Sequence, residues 1–323
     1  MAPCLENVAC VNLSAMPPAP PSPQPVSHKQ AATLCRQGRT CALKSGSNES
    51  GGSVTSTYTS YRLISQDIGK SLERVSKQPD VARETEYYRE KIGSVKSIDD
   101  FMADTRLYNY ALKAHGLEDM AYAKAFIRKV LTEGASDKNA FANKLSDNRY
   151  AELAKSLDFA GLGAAATATE AAKSGVIGNY ARQTLEQEAG DDNNGVRLAL
   201  YFERKAPTIK SGLDFLADDA LAQVFRTTFN LPDAFAAADV DKQAALIEKS
   251  INIKDLQDPE KVGKLLERFT IMWEMQNPST TYDPLAVFGS SSGYGISPDL
   301  LISINSLKLG GKAAALEHHH HHH

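Results

Sequence analysis

The chain has 323 residues, 42% of them hydrophobic and 23% charged, with a formal net charge of −3. That composition is ordinary for a globular protein. The slight negative charge gives no general attraction to nucleic acid or anionic lipid, and no apolar run reaches the ~20 residues of a membrane helix.

Residues 1–53 carry PPAPPSPQP and SGSNESGGS and lack apolar periodicity. A segment of this kind cannot bury enough surface to offset its ordering entropy, so a disordered leader is expected over 1–53. It has no basic start followed by an apolar run, so it does not read as a secretory signal. Translation from Val54 would make the leader an artefact of start-site choice. All four cysteines, Cys4, Cys10, Cys35 and Cys41, lie in this leader. Their C-x5-C spacing is wider than the two to four residues usual for structural zinc, so no metal site is expected. At the other end, 312–323 closes in LEHHHHHH and is an expression tag.

From Tyr58 the pattern becomes helical. Leu63, Ile64, Ile68, Leu72 and Val75 recur at helical spacing, which predicts one helix running to the stop at Pro79. A second helix follows with Val81, Tyr87, Tyr88 and Ile92 as its apolar positions.

The next stretch occurs twice. YYREKIGSVKSIDDFMAD at 87–104 lies over YFERKAPTIKSGLDFLAD at 201–218 with no gap, at an offset of 114. Extended over 87–117 and 201–231, the two share ten identities, among them Tyr87/Tyr201, Ser97/Ser211, Asp100/Asp214, Phe101/Phe215, Asp104/Asp218 and Leu117/Leu231. Self-similarity at this scale is a statement about architecture. Ser97 with Asp100, and Ser211 with Asp214, approximate a capping box. Asp104 and Asp218 suit a second N-cap, with Phe101 and Phe215 buried beside the first turn. The helices that follow are expected to end at Gly116 and Asn230, two residues that tolerate the left-handed conformation of a C′ position.

Downstream, MAYAKAFIRKVL lies over VDKQAALIEKSI, pairing Phe126 with Leu246 and Ile127 with Ile247. The predicted organisation is a first helical repeat over 54–159, a linker over 160–174, a second repeat over 175–276, and a loop with a C-terminal amphipathic helix over 277–311. No alternating β pattern is present. The fold class expected is therefore all-α, with two tandem copies of a multi-helix unit of about 100 residues.

Motifs that could carry chemistry are few. Gly161 to Ala166 fits G-x-G-x-x-A, but the dinucleotide motif needs a preceding strand, and here a helical pattern precedes it. GDDNNG at 190–195 has the polar density of a calcium loop but lacks the Glu at position twelve, where Tyr201 stands; a turn is expected instead. His115 is the only histidine between the leader and the tag, and its place at a helix end suits a dipole interaction. Tyr87/Tyr88 and Tyr201/Phe202 read as core, with a partner-binding groove as the alternative. No catalytic residue, metal or cofactor is expected, so the chain reads as a non-enzyme.

The candidate binding element is the terminal helix. Ser297-Pro298-Asp299 gives an N-cap with Pro at N1, and Leu300, Leu301, Ile304 and Leu307 share one face. That face docks either on its own domain or into another subunit or protein.

The opening TSYRLISQDIGKSLERVSKQPDVARETEYY, the run GNYARQTLEQEAGDDNNGVRLALYFERKAPTIKS and the ending DLLISINSLKLGG together resemble an alphaproteobacterial family of unknown function, domain of unknown function family 1217. The resemblance covers nearly all of 55–311, and RLALYFERKAP is its most specific part. Members are met in flagellar gene clusters of rhizobia and relatives, and the family offers no catalytic residues to map. The resemblance implies a non-enzymatic, flagellum-associated structural or assembly protein with a flagellar protein as partner, cytoplasmic or exported through the flagellar apparatus. The alternative it leaves is a cytoplasmic regulator or chaperone-like adaptor of flagellar export. Self-association through the terminal helix is a further expectation.

Overall fold

A computed structural model describes residues 55–278, all of them helical or irregular, with no strand among them. The expected leader and terminal helix lie outside the described residues. The chain divides into two compact units. Within the described residues, unit 1 takes 68–185, and unit 2 joins 55–67 to 186–278.

Unit 2 therefore contains the first helix among the described residues. Helix α1 spans Thr57–Ser65 and α2 spans Ile68–Ser76. The single helix predicted here is thus interrupted at Gln66 and Asp67, where unit membership changes. Leu63 faces solvent at 61% exposure, and α1 buries Thr57 and Tyr61 instead. The packing partner, not the apolar spacing, decides which face goes inside.

In unit 1, α3 (Pro79–Lys91) starts with Pro at N1, where the missing N–H is no loss. It leads through a 3-10 turn, Ile92–Ser94, to α4 (Ile98–Ala103) and α5 (Thr105–Ala114). Helices α6 (Lys124–Glu133), α7 (Phe141–Lys144), α8 (Arg149–Ser156) and α9 (Phe159–Leu162) follow. The core is rich in tyrosine. Tyr88 stacks on Tyr110 at 4.6 Å, and Tyr110 stacks on Tyr180 at 3.9 Å. Phe101 is fully buried against Tyr108 and Phe159. The stretch 160–174, read above as a linker, forms short helical turns seated on this core. The Thr167 hydroxyl donates to the Val95 carbonyl at 2.7 Å, and the Tyr88 hydroxyl donates to the Ala172 carbonyl. Small residues suit this seat because they let backbone approach aromatic rings.

Helix α10 (Val176–Asp192) begins in unit 1 and ends in unit 2. The turn expected at 190–195 shrinks to one residue. Asp192 closes α10, and Asn193 caps α11 (Asn194–Lys205) by accepting from the Gly195 amide at 2.8 Å. A 3-10 turn, Ala206–Thr208, then leads to α12 (Gly212–Leu216) and α13 (Asp219–Thr228). Helices α14 (Val240–Ser250) and α15 (Pro259–Gln276) complete the unit. Its core is built on phenylalanine: Phe202 meets Phe215 at 5.8 Å, Phe215 meets Phe225 at 6.1 Å, and Phe269 meets Trp273 at 6.0 Å.

Candidate partner-binding site

Acids that recur at the 114 offset are the first place to look for chemistry, and the geometry assigns each a structural task. Ser97 accepts from the Asp100 amide at 3.0 Å, and Ser211 accepts from the Asp214 amide at 3.4 Å. The return bond is where a short acid strains to reach. Asp214 accepts from both the Ser211 amide at 3.2 Å and the Lys210 amide at 2.7 Å, closing a capping box. Asp100 accepts from the Lys96 amide at 3.0 Å. Asp104 caps α5 through the Leu107 amide at 3.1 Å; Asp218 caps α13 through the Ala220 and Leu221 amides.

The other carboxylate oxygen of each cap has a second partner. The Tyr87 hydroxyl donates to Asp104 Oδ2 at 2.7 Å, and the Tyr201 hydroxyl donates to Asp218 Oδ2. The hydrogen bond to Asp104 raises the Tyr87 pKa above its usual value, because the carboxylate favours the neutral phenol. Tyr87 and Tyr201 are thus neither plain core nor an open aromatic groove. They are clamps on a helix start. The signal lies in the sequence, since both pairs are separated by the same 17 residues.

The helix ends also match expectation. Gly116 has φ +70° and Asn230 has φ +52°. The Leu117 amide donates to Leu112 O and the Gly116 amide to Lys113 O; Leu231 and Asn230 repeat this with Arg226 O and Thr227 O. Both are Schellman closures.

His115 lies between α5 and α8. Its Nδ1 is 2.7 Å from the Ala111 carbonyl, which only accepts, so Nδ1 carries the proton. Its Nε2 is hydrogen-bonded to the Ser156 hydroxyl oxygen at 2.7 Å. A hydroxyl hydrogen-bonded to a histidine resembles an activated nucleophile. Here the group that holds Nδ1 is the Ala111 carbonyl of the same helix. Both residues also stand at helix C-termini, whose partial negative charge opposes a developing oxyanion. The pair ties α5 to α8. The G-x-G-x-x-A run follows helix α8 and not a strand. No cluster of three metal-ligating side chains occurs among the described residues.

What remains is surface shape. An open groove of about 610 Å³ runs between α4 and α6 in unit 1. Met102 and Ala125 give it apolar surface, and Lys124, Arg128, Lys129 and Glu133 edge it. Arg128 Nη1 is held by Asp99 at 2.5 Å. In unit 2 the equivalent helices, α12 and α14, are pressed together at Gly212. A Cβ there would stand 2.5 Å from the Ala244 carbonyl oxygen. At the 114 offset Gly212 corresponds to Ile98, so the two units treat this helix pair in opposite ways. The sequence-predicted binding residues Leu300, Leu301, Ile304 and Leu307 lie outside the described residues.

The family model for "Protein of unknown function (DUF1217)" matches residues 114–262. A protein from Agrobacterium tumefaciens, solved by X-ray crystallography, is 88% identical; the match covers 80% of this chain and 100% of that one, with a TM-score of 0.65. The chain belongs to the DUF1217 family. No curated protein matches it. The family match begins at the end of α5 and closes early in α15, so it includes the His115 clip, α10 and the capped starts of unit 2. Membership brings a fold and a bacterial relative, and no activity. No helix among the described residues is long and apolar enough to cross a membrane.

Proposed function

We propose that this protein is a non-enzymatic structural or assembly component of the flagellum that works through helical protein–protein contacts. The observation that carries the non-enzymatic part is the use made of the recurring acids. Asp100, Asp104, Asp214 and Asp218 accept from backbone amides at helix starts, and two of them also hold a tyrosine. The flagellar part rests on the family resemblance. The same caps, clamps and Schellman ends, set 114 residues apart, support reading the two halves as tandem copies of one helical unit.

The terminal helix, with Leu300, Leu301, Ile304 and Leu307 on one face, is the partner-binding element of this reading. A helix that presents anchors at i, i+3/i+4 and i+7 fits a groove on a protein partner. The test is a pull-down from fractionated flagellated host cells with the full chain and with residues 297–311 deleted. The deletion is expected to abolish capture of flagellar components while leaving the circular dichroism nearly unchanged. Unchanged capture sinks the idea. Capture from cytosol alone, with nothing from filament–hook–basal bodies, replaces the assembly reading with a regulator or export adaptor.

A further inference from the structure

Among the described residues, unit 2 is assembled from two stretches of chain, 55–67 and 186–278, with 68–185 of unit 1 between them. Helix α1 packs against α11 and α15. The Thr57 amide donates to Glu274 Oε2 at 3.2 Å, and the Thr57 hydroxyl donates to the same oxygen. Asn193 Nδ2 donates to Thr57 Oγ1 at 2.7 Å. One turn on, the Tyr61 hydroxyl donates to Glu203 Oε2 at 3.1 Å, with the ring buried. Ser56 caps the helix through the Thr59 amide. The seat is therefore specific in polar as well as apolar terms.

The connection to the rest of the chain is less well specified. The helix breaks at Gln66 and Asp67, which include neither glycine nor proline, and the helical apolar spacing continues across them. Gln66 keeps helical dihedrals, and its amide still donates to the Arg62 carbonyl at 3.0 Å. The connection between α1 and α2 is therefore only two residues long. A short connection between an element and the rest of its chain is a setting in which that element is exchanged between copies, since the contacts are identical whichever chain supplies it. Only effective concentration and hinge strain separate the two arrangements.

We propose that the α1 seat on unit 2 is an exchange site that accepts residues 57–65 of a second copy of this chain, joining two chains by reciprocal helix donation. This deepens the assembly reading by naming a second copy as a partner. It does not involve residues 297–311, so the two ideas fail separately.

The experiment uses the full chain with Cys4, Cys10, Cys35 and Cys41 changed to serine. One chain carries Thr57→Cys and a second, differently tagged, carries Asn193→Cys, at positions whose side chains already approach within 2.7 Å. After co-expression and mild oxidation, a disulfide-linked species carrying both tags is expected, at twice the chain mass and lost on reduction. A chain carrying both cysteines reports the seat filled from within. If that chain closes on itself and the mixed pair gives no cross-link, the proposal is overturned. A hinge series protects the test from a cysteine variant that fails to fold. By light scattering, the unaltered chain and a chain lacking Gln66 and Asp67 are expected at the mass of two chains, and a chain with Gly-Ser residues inserted there at the mass of one. An unchanged mass across the series also overturns the proposal.

Discussion

Unit 1 and unit 2 start their helices with the same chemistry and fill their interiors differently. Unit 1 buries Tyr88, Tyr108, Tyr110, Tyr150 and Tyr180; among the described residues, unit 2 buries only Tyr61 of its tyrosines and relies on Phe202, Phe215, Phe225, Phe229, Phe269 and Trp273. Val81 is buried on α3, whereas its counterpart on α11 is Gly195, where a Cβ would stand 2.3 Å from Trp273 Cδ1. Ile98 and Gly212 make the same exchange beside the groove. The lesson is that helix ends fix a frame and small-for-large exchanges decide how far its helices close. The single tryptophan of the chain lies in unit 2, so its emission follows that unit and backbone circular dichroism follows both.

The largest effect that separates the units is expected from alkali. Burial pushes the Tyr108 and Tyr180 phenols up from their usual 10.0 to about 12 and raises Tyr88, Tyr110 and Tyr150 as well. A raised folded-state pKa contributes stability that is complete below the unfolded value and is lost as pH climbs through the folded one. From pH 10 towards 12, unit 1 therefore loses the contribution of five phenols and unit 2 that of Tyr61. Helical signal is expected to fall before Trp273 emission shifts. Simultaneous loss contradicts the contrast.

Next come the matched core rings. Phe101→Ala and Phe215→Ala each remove a fully buried ring, at about 3–5 kcal/mol. Only Phe215→Ala is expected to move the denaturation midpoint seen by tryptophan. Converting unit 2 towards unit 1 with Gly195→Val forces Trp273 out of its place, costing about 1–3 kcal/mol and changing its emission maximum in the folded state; an unchanged spectrum would show that α11 and α15 separate freely. Smallest are the caps. Asp104→Ala and Asp218→Ala are each expected to cost about 1 kcal/mol, and Asp104→Ala also to lower the Tyr87 pKa towards its usual value, read by absorbance titration. Equal costs in both units support the common frame, and a cost in only one breaks it.

The caps are legible in the sequence because their physics is local. A serine and an acid three residues on, or an Asn that accepts φ +52°, is decided within one helical turn. The all-α class follows from the same periodicity. The separate docking of α1 is not legible, because its partners lie on α11 and α15, far along the chain. Nor is the seating of 160–174, whose alanines carry no pattern of their own and take their place from Tyr88 and Val95. The Tyr–Asp clamps sit between these cases. Their partners are distant enough to escape a motif search, yet their shared spacing was available to a comparison of the two stretches set 114 residues apart. The groove between α4 and α6 depends on how closely two helices approach, which no single position in unit 1 announces.

The split origin of unit 2 also has a consequence during synthesis. Thr57 leaves the ribosome long before Glu274, its hydrogen-bond partner. At roughly 5–20 residues per second, α1 waits about 10–40 s for its seat to be made. Within that interval the described residues of unit 1 are completed, while the seat for α1 still lacks α15. On a polysome, neighbouring nascent chains are the nearest source of a finished seat, so the crowding of ribosomes on one message becomes a variable in how the first helix is housed.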